Sequence, residues 1–389
     1  MKRRNSVDMI ISEVQCISQY IISIYIKMVI NFAAGPAKLP EEVLKEVQQE
    51  LTDYNNTGMS IMEMSHRGSV YLKINEDAMK SCRELLKVPE NYKILLMQGG
   101  GSGQFAAVCM NLMGKTGSAD YAVTGTWSWK AYKEAQKYGN ANLVFPKPEK
   151  FTTIPPQNEW KLNPNASYLY YCDNETVDGV EFNFVPETNG IPLVCDMSSN
   201  FMSRSIDVSK FGLIFAGAQK NVGPAGVTVI IVREDLIGNA MKITPSVFDY
   251  MDVAKNNSVS NTPPTFIIYI MSRVFEWLKR NDGVEGMSKL AQKKSQLIYG
   301  TINKSNGFYT CPVDEQYRSR MNLPFRISGG DEALEKEFLQ KAEKAGMVQL
   351  KGHRSVGGIR ASLYNAISFE NTETLNKFMN EFYESKKLS

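Results

Sequence analysis

Histidine is nearly missing from this sequence: His66 and His353 are the two in 389 residues. Metal centres for catalysis draw first on imidazole and thiolate, so a histidine-based metal site has almost nothing to build with. The six cysteines, Cys16, Cys82, Cys109, Cys172, Cys195 and Cys311, contain no close pair, which excludes a zinc knuckle and a disulfide framework. They read as reduced thiols of a cytoplasmic protein. Charge of one sign is also lacking, with 44 Lys and Arg against 41 Asp and Glu and a net charge of +3. Part of that small excess sits in residues 1–27, where Lys2, Arg3, Arg4 and Lys27 outnumber Asp8 and Glu13. Nucleic-acid binding needs a concentrated basic face, so nucleic acid is not an expected partner. Nor is a membrane, because the longest apolar stretch of the first 27 residues is too short and too interrupted for a span. That segment also lacks the unbroken apolar core and small-residue cleavage site of a secretory signal. Its leading arginines suit a mitochondrial presequence and its acidic residues count against one. It reads as a leader outside the fold, with Met28 an equally natural start.

What is present is the composition of a folded, soluble chain, 43% hydrophobic and 22% charged, long enough for two to three domains with a cleft between lobes. From Met28 onward apolar strand-like runs alternate with amphipathic stretches, the mark of an α/β protein with a mainly parallel sheet. Strands are expected at 93–97, 121–124, 168–171, 192–195, 213–216 and 227–232. Helices are expected at 40–51, 104–113 and 128–138. Past residue 265 the texture changes to helices at 266–279 and 284–305, strands at 322–327 and 358–362, and helices at 331–345 and 371–384. The expected layout is a large domain over 41–285 and a smaller α/β domain built from 28–40 and 286–389.

The most informative stretch runs Gly212-Leu213-Ile214-Phe215-Ala216-Gly217-Ala218-Gln219-Lys220, then Asn221-Val222-Gly223-Pro224-Ala225-Gly226. A buried strand ends in small residues, a lysine follows, and a Gly/Pro-rich turn feeds the next strand. A partly desolvated lysine favours its neutral form and is a usable nucleophile toward an aldehyde. Upstream, the strand 192–195 ends in Asp196. Ligands of open α/β sheets gather at the carboxyl ends of strands. An amine and a carboxylate on two such ends fit pyridoxal phosphate, whose aldehyde needs a lysine and whose ring nitrogen needs an acidic partner. Taken singly, a surface lysine and a turn aspartate are the commoner reading; together they are not.

Gly99-Gly100-Gly101-Ser102-Gly103 between a strand and a helix makes a phosphate seat, since glycines admit the anion to backbone amides at a helix N-terminus. A Walker loop is ruled out because Gln104 and Phe105 stand where Lys and Ser or Thr belong. The dinucleotide spacing Gly101, Gly103, Ala106 is met, but Asp120 precedes the run 121–124 instead of closing it. Trp127, just past a strand end, offers a flat face for stacking, and Thr176 a hydroxyl at the same edge. His66-Arg67 and His353-Arg354, the latter followed by Arg360, offer guanidinium forks for a substrate anionic at both ends.

These blocks, with Asn31–Pro40, Met64–Arg67, Gln98–Gly101, Ala216–Gly226, Asn261–Phe266 and Leu350–Ser362, resemble the phosphoserine aminotransferase family, pyridoxal-phosphate enzymes of fold type I and class V. The resemblance covers the chain from about Ile30 to its end. It implies reversible amino transfer from L-glutamate to 3-phosphohydroxypyruvate, giving O-phosphoserine and 2-oxoglutarate on the phosphorylated route to serine. It implies Lys220 as the lysine that carries the cofactor, Asp196 on the pyridine nitrogen and Trp127 on the ring. Gly101, Ser102, Thr176 and Gln219 match further cofactor contacts. Asn261 and Thr262 match positions that reach the neighbouring subunit's cofactor phosphate, which implies a homodimer. Arg67 with His66, and His353, Arg354 and Arg360, match substrate contacts. Ser102 departs from members that carry arginine there. A serine- or alanine-glyoxylate aminotransferase of the same fold would not need to grip a phosphate; a cysteine desulfurase would want a histidine where Trp127 stands; a silent scaffold would not need Lys220 and Asp196.

Overall fold

The computed structural model describes residues 29–387, so the leader 1–27 and Met28 lie outside the described residues. Its strands are β1 (Ile30–Asn31), β2 (Tyr92–Met97), β3 (Ser118–Ala122), β4 (Asn140–Leu143), β5 (Leu169–Cys172), β6 (Leu193–Asp196), β7 (Leu213–Gly217), β8 (Thr228–Arg233), β9 (Tyr309–Thr310), β10 (Asn322–Ile327), β11 (Met347–Val348) and β12 (Ile359–Ser362). Seven of them form one sheet in the order β2-β8-β7-β6-β5-β3-β4, in which β8 runs antiparallel to β2 and β7 and the remaining neighbours are parallel. The mainly parallel α/β sheet expected from the sequence is what the chain forms.

The central strands read as unbroken apolar runs because both faces of the sheet are covered. On β7, Leu213 and Phe215 pack into one core with Phe105, Tyr121 and Tyr170, while Ile214 and Ala216 pack into the other with Leu169, Cys195 and Phe275. Every side chain of β7 is buried, and burial of each large one contributes roughly 1.5–3 kcal/mol. Asp196, at the end of β6, and Lys220, three residues past the end of β7, are therefore held by fully buried strands.

A third core gathers Phe32, Ile298, Tyr309, Phe325, Phe338, Ile359 and Phe382 around the antiparallel sheet β12-β10-β9. The chain's front joins it: β1 pairs parallel with β11, Ile30 opposite Met347. The helix Gly283–Lys304 bridges two of these cores, with Val284 and Met287 in the one that holds Ile214 and Ala216, and Ile298 and Ile302 in the one around β10. Among the described residues, no helix is long and apolar enough to cross a membrane.

Three expectations need adjustment. The strand expected at 121–124 is β3, three residues earlier at its start, so Asp120 lies inside the strand instead of preceding it. Asp120 is tolerated there because it accepts hydrogen bonds from the Asn163 N–H (2.7 Å) and Asn142 Nδ2 (3.2 Å). The helix expected from 104 begins at Gly100, because Gly99 and Gly100 take the positive φ values of 96° and 61° that turn the chain straight from β2 into the helix. The helix Ser69–Leu86 was not expected at all, although Tyr71, Ile74, Ala78, Cys82 and Leu85 are buried at helical spacing.

Candidate active site

The lysine is delivered by a turn that has little freedom. After β7, the Ala218 N–H donates to the Val227 carbonyl and the Ala218 carbonyl accepts from the N–H groups of Val222 and Gly223, so the loop closes onto the start of β8 with Lys220 at its outer corner. Asn221 fixes the corner from both sides. Its Nδ2 donates to the Ser199 carbonyl (3.1 Å), and its Oδ1 accepts from the Asn365 N–H (3.0 Å). Gly217 leaves room for Gln219, whose side chain folds back over it: a Cβ there would lie 2.7 Å from Oε1 and push that amide aside.

Asp196 is the last residue of β6, in register with Phe215 on β7. Its Oδ1 accepts from the Ser198 N–H at 2.8 Å, and Ser198 Oγ accepts from the Gly217 N–H at 3.1 Å. The carboxylate is thus hung on the same strand end that leads to the lysine. A cavity of about 220 Å³ lies between these two strand ends and the start of the helix Gly100–Leu112, lined by Gly99, Gly101, Ser102, Trp127, Asp196 and Lys220, with Gln219 at its edge. Lys220 and Asp196 therefore face one chamber. Burial pulls the Lys220 amine down from its ordinary value, with Asp196 opposing. Burial pushes the Asp196 carboxyl up, with the Lys220 charge pulling it back.

Three further residues, from three separate elements, surround the amine and the chamber. Thr176, in the loop after β5, accepts a hydrogen bond from Lys220 Nζ through Oγ1 at 2.6 Å. Trp127, at the start of the helix Thr126–Ala135, places its ring 5.6 Å from Lys220 Nζ, measured to the ring centroid. Its indole Nε1 is buried with no hydrogen-bond partner among the described residues. Gly101 leaves its wall open: a Cβ there would reach to 3.8 Å from Ser198 Oγ and 3.9 Å from Asp196 Oδ2, using up space beside the carboxylate.

Arg360, on β12, is the substrate-segment arginine that reaches this region, donating from a guanidinium nitrogen to the Thr176 carbonyl at 3.1 Å. His353 stands near it, its imidazole pulled down by burial and by the positive charges of Arg360, Lys130 and Arg354. Arg354 is exposed, as is Arg67, and His66 is half-buried with Nε2 unpartnered. None of these three lines the cavity. Asn261 and Thr262 are likewise away from it, tied to the end of β2: Asn261 Nδ2 donates to Gln98 Oε1 (2.9 Å) and Gln98 Nε2 donates to the Thr262 carbonyl (3.1 Å).

Sequence reasoning missed two contributors. Gly35, in the segment after β1, lies against the lysine itself, where a Cβ would sit 3.3 Å from Lys220 Cγ. The Ala37 N–H beside it donates to the Gln219 carbonyl at 2.9 Å. Glu175, the neighbour of Thr176, accepts from the N–H groups of Trp127 (2.8 Å) and Ser128 (2.9 Å). An acidic residue two to four positions from a strand end, paired with a distant helix start, carries no local sequence signal. Gly125 before Trp127 was the available hint.

The chamber fits pyridoxal phosphate by its donor set. It has an amine lowered toward its neutral form, a buried carboxylate on the facing strand end, an indole with an orphaned N–H, and a glycine-lined helix start. Comparison with known proteins agrees. Residues 29–375 match the family described as Aminotransferase class-V. A phosphoserine aminotransferase of Drosophila melanogaster is 68% identical over 92% of this chain and 100% of its own length. Among solved structures, the phosphoserine aminotransferase of Bacillus circulans subsp. alkalophilus superposes with a TM-score of 0.90 at 47% identity, covering 92% of this chain and 99% of that one. The PLP-bound enzyme of Trichomonas vaginalis superposes with a TM-score of 0.88 at 40% identity, covering 90% and 99%. In sequence and in fold, the chain belongs to the class-V aminotransferases.

Proposed function

We propose that the chain is a pyridoxal-phosphate-dependent aminotransferase that moves the amino group of L-glutamate to 3-phosphohydroxypyruvate, giving O-phospho-L-serine and 2-oxoglutarate, and that it works as a homodimer. The observation that carries the chemistry is the meeting of Lys220 and Asp196 across one cavity. When bound, pyridoxal phosphate supplies an aldehyde for the amine and a ring that withdraws electrons from the substrate carbon. Asp196, oriented by the Ser198 N–H, would hold a proton at the ring nitrogen. Gly101, Ser102 and Gln219 would hold the phosphate at the helix start, and Trp127 would cover one face of the ring. Lys220 Nζ, poised by Thr176 Oγ1, moves the proton at the substrate α-carbon as base and then acid.

Selectivity for a substrate with an anion at each end is assigned to the cationic residues. Arg360 is the one this chain brings beside Thr176, a position suited to a carboxylate near Lys220. Arg354 extends positive charge outward from it, and His353, its imidazole pulled toward the neutral form, offers a ring nitrogen for hydrogen bonding beside them. Arg67 and His66, with Asn261 and Thr262, lie outside the cavity of their own chain. The exposed apolar side chains of Met59 and Met62 close to Arg67, 44% and 56% accessible, support an interface there through which these residues serve a second copy's site. A reducing compartment such as the cytoplasm suits Cys82, Cys109, Cys172 and Cys195, all buried and unpaired.

A coupled assay with glutamate and 3-phosphohydroxypyruvate tests the reaction, and borohydride reduction followed by peptide mapping tests the attachment. Lys220→Ala is expected to lose roughly a thousandfold or more in turnover and to release its cofactor on dialysis. Full turnover in that variant overturns the mechanism. Equal turnover of an unphosphorylated keto acid overturns the substrate.

A further inference from the structure

Glu175 is completely buried, yet it lies in a loop otherwise noted for its neighbour Thr176. Its two carboxyl oxygens accept from the backbone N–H groups of Trp127 and Ser128, and Asp178 Oδ2 accepts from the N–H of Thr126 at 2.7 Å. These are the first three amides of the helix Thr126–Ala135, which have no partner within a helix. The loop that grips them is itself anchored elsewhere. Glu175 N–H donates to the Val180 carbonyl and its own carbonyl accepts from Gly179. Gly179 in turn lies against Pro324, where a Cβ would be 2.6 Å from Cγ. One residue further on from Glu175, Thr176 holds Lys220. The carboxylate also dictates the residue before the helix, because a Cβ on Gly125 would overlap the Glu175 side chain. Gly125 has an extended backbone with φ of −173°, so space, not conformation, requires glycine there.

We infer that Glu175, assisted by Asp178, is a positioning residue that sets the depth and tilt of Trp127 over the ring-binding chamber and couples it to the lysine through the shared Glu175-Thr176 backbone. The inference rests on the cofactor reading above for what Trp127 covers, and on this chain's own contacts for what holds Trp127 in place. The groups facing Glu175 are Asp178 from its own loop, Tyr170 and Cys172 from β5, and Lys220, with Arg360 facing Asp178. Of these, Asp178 opposes a second negative charge at this point, while burial keeps Tyr170 and Cys172 un-ionised.

The test is a double-mutant cycle in the holoenzyme. Glu175→Ala removes both acceptors, while Gly125→Ala leaves every hydrogen-bonding group in place and only evicts the Glu175 side chain. Each alone is expected to weaken the circular dichroism of the bound cofactor's visible band and to lower kcat roughly ten- to hundredfold with a smaller change in KM. Together they are expected to do no more than either alone, since both act through one contact. Glu175→Gln, which keeps one acceptor but turns an NH2 group toward the second amide, is expected to fall between wild type and Glu175→Ala. Additive losses in the double variant overturn the inference. So does a lowered melting temperature with the cofactor band unchanged, the result of a merely structural role. Hydrogen exchange of the peptide spanning 124–131 decides the case without the cofactor: Glu175→Ala and Gly125→Ala should each unprotect it, and unchanged protection sinks the proposal. Absence of a visible band in the wild-type protein would count against the cofactor reading, and the exchange result would stand apart from it.

Discussion

Two carboxyl groups, Glu175 and Asp178, share the start of one helix, and burial makes two negative charges there costly. Glu175 is pushed up to about 8 by burial and by the charge of Asp178, and Asp178 is raised as well, chiefly by burial. An unfolded-chain glutamate titrates at about 4.3, so at neutral pH the folded chain holds a proton here that the unfolded chain has released. The linkage sign follows: this contribution to stability is complete below about pH 4 and is lost as pH rises through about 8. Melting temperatures of wild type and Glu175→Gln between pH 6 and pH 9 should show the wild type falling more steeply, and parallel profiles would contradict it. At this scale the sequence disclosed what has a local signature. Lys220 and Asp196 stand at strand ends, and Gly99 and Gly101 stand before a helix. Glu175 and Gly35 act through contacts across 48 and 185 positions of chain, and nothing in their neighbours' identities announces that.

The long helix Gly283–Lys304 carries an unusual burden for its middle. Lys294 is 1% exposed and donates from Nζ to the carbonyls of Leu363, Tyr364 and Ile367, at 2.9, 2.8 and 2.7 Å. Burial pulls its amine down to about 7. The turn it holds carries Tyr364, whose hydroxyl donates to the Ala34 carbonyl, and Asn365, whose N–H fixes Asn221 beside the lysine of the site. Lys294→Met keeps the stem and strands three carbonyls, so unfolding free energy should fall by roughly 3 kcal/mol, measured by urea denaturation. A change below 1 kcal/mol would show that water replaces the amine. Element periodicity was readable for the central strands, whose alternate residues enter two cores, and for the amphipathic helices of the second lobe. It was not readable where polar residues sit inside an element: Asp120 hid the true start of β3, and Asn75 and Ser81, both buried, broke the apolar stripe of Ser69–Leu86.

For the whole molecule, the residues held outside their own cavity make the strongest demand. If Asn261 and Thr262 complete a second copy's site, a chain carrying Lys220→Ala can lend them to a chain carrying Asn261→Ala with Thr262→Val. Co-refolding the two inactive proteins should restore about a quarter of wild-type turnover, because half of randomly paired dimers would each hold one intact site. No recovery would place these residues in the service of their own chain. A second lobe could be anticipated from the change of texture past residue 265, and 28–40 was expected to join it; the strand β1 by which the front of the chain returns to β11 was not expected. Two-residue strands such as β1 leave no pattern to detect. That return has an outcome for durability. Since the first described strand is clamped to β11, Phe32 just after it sits in the core of the smaller lobe, and Gly35 leans on Lys220, an exopeptidase nibbling inward would open that interior and strip the brace from the reactive amine within the same few cuts, so activity and durability should fail together.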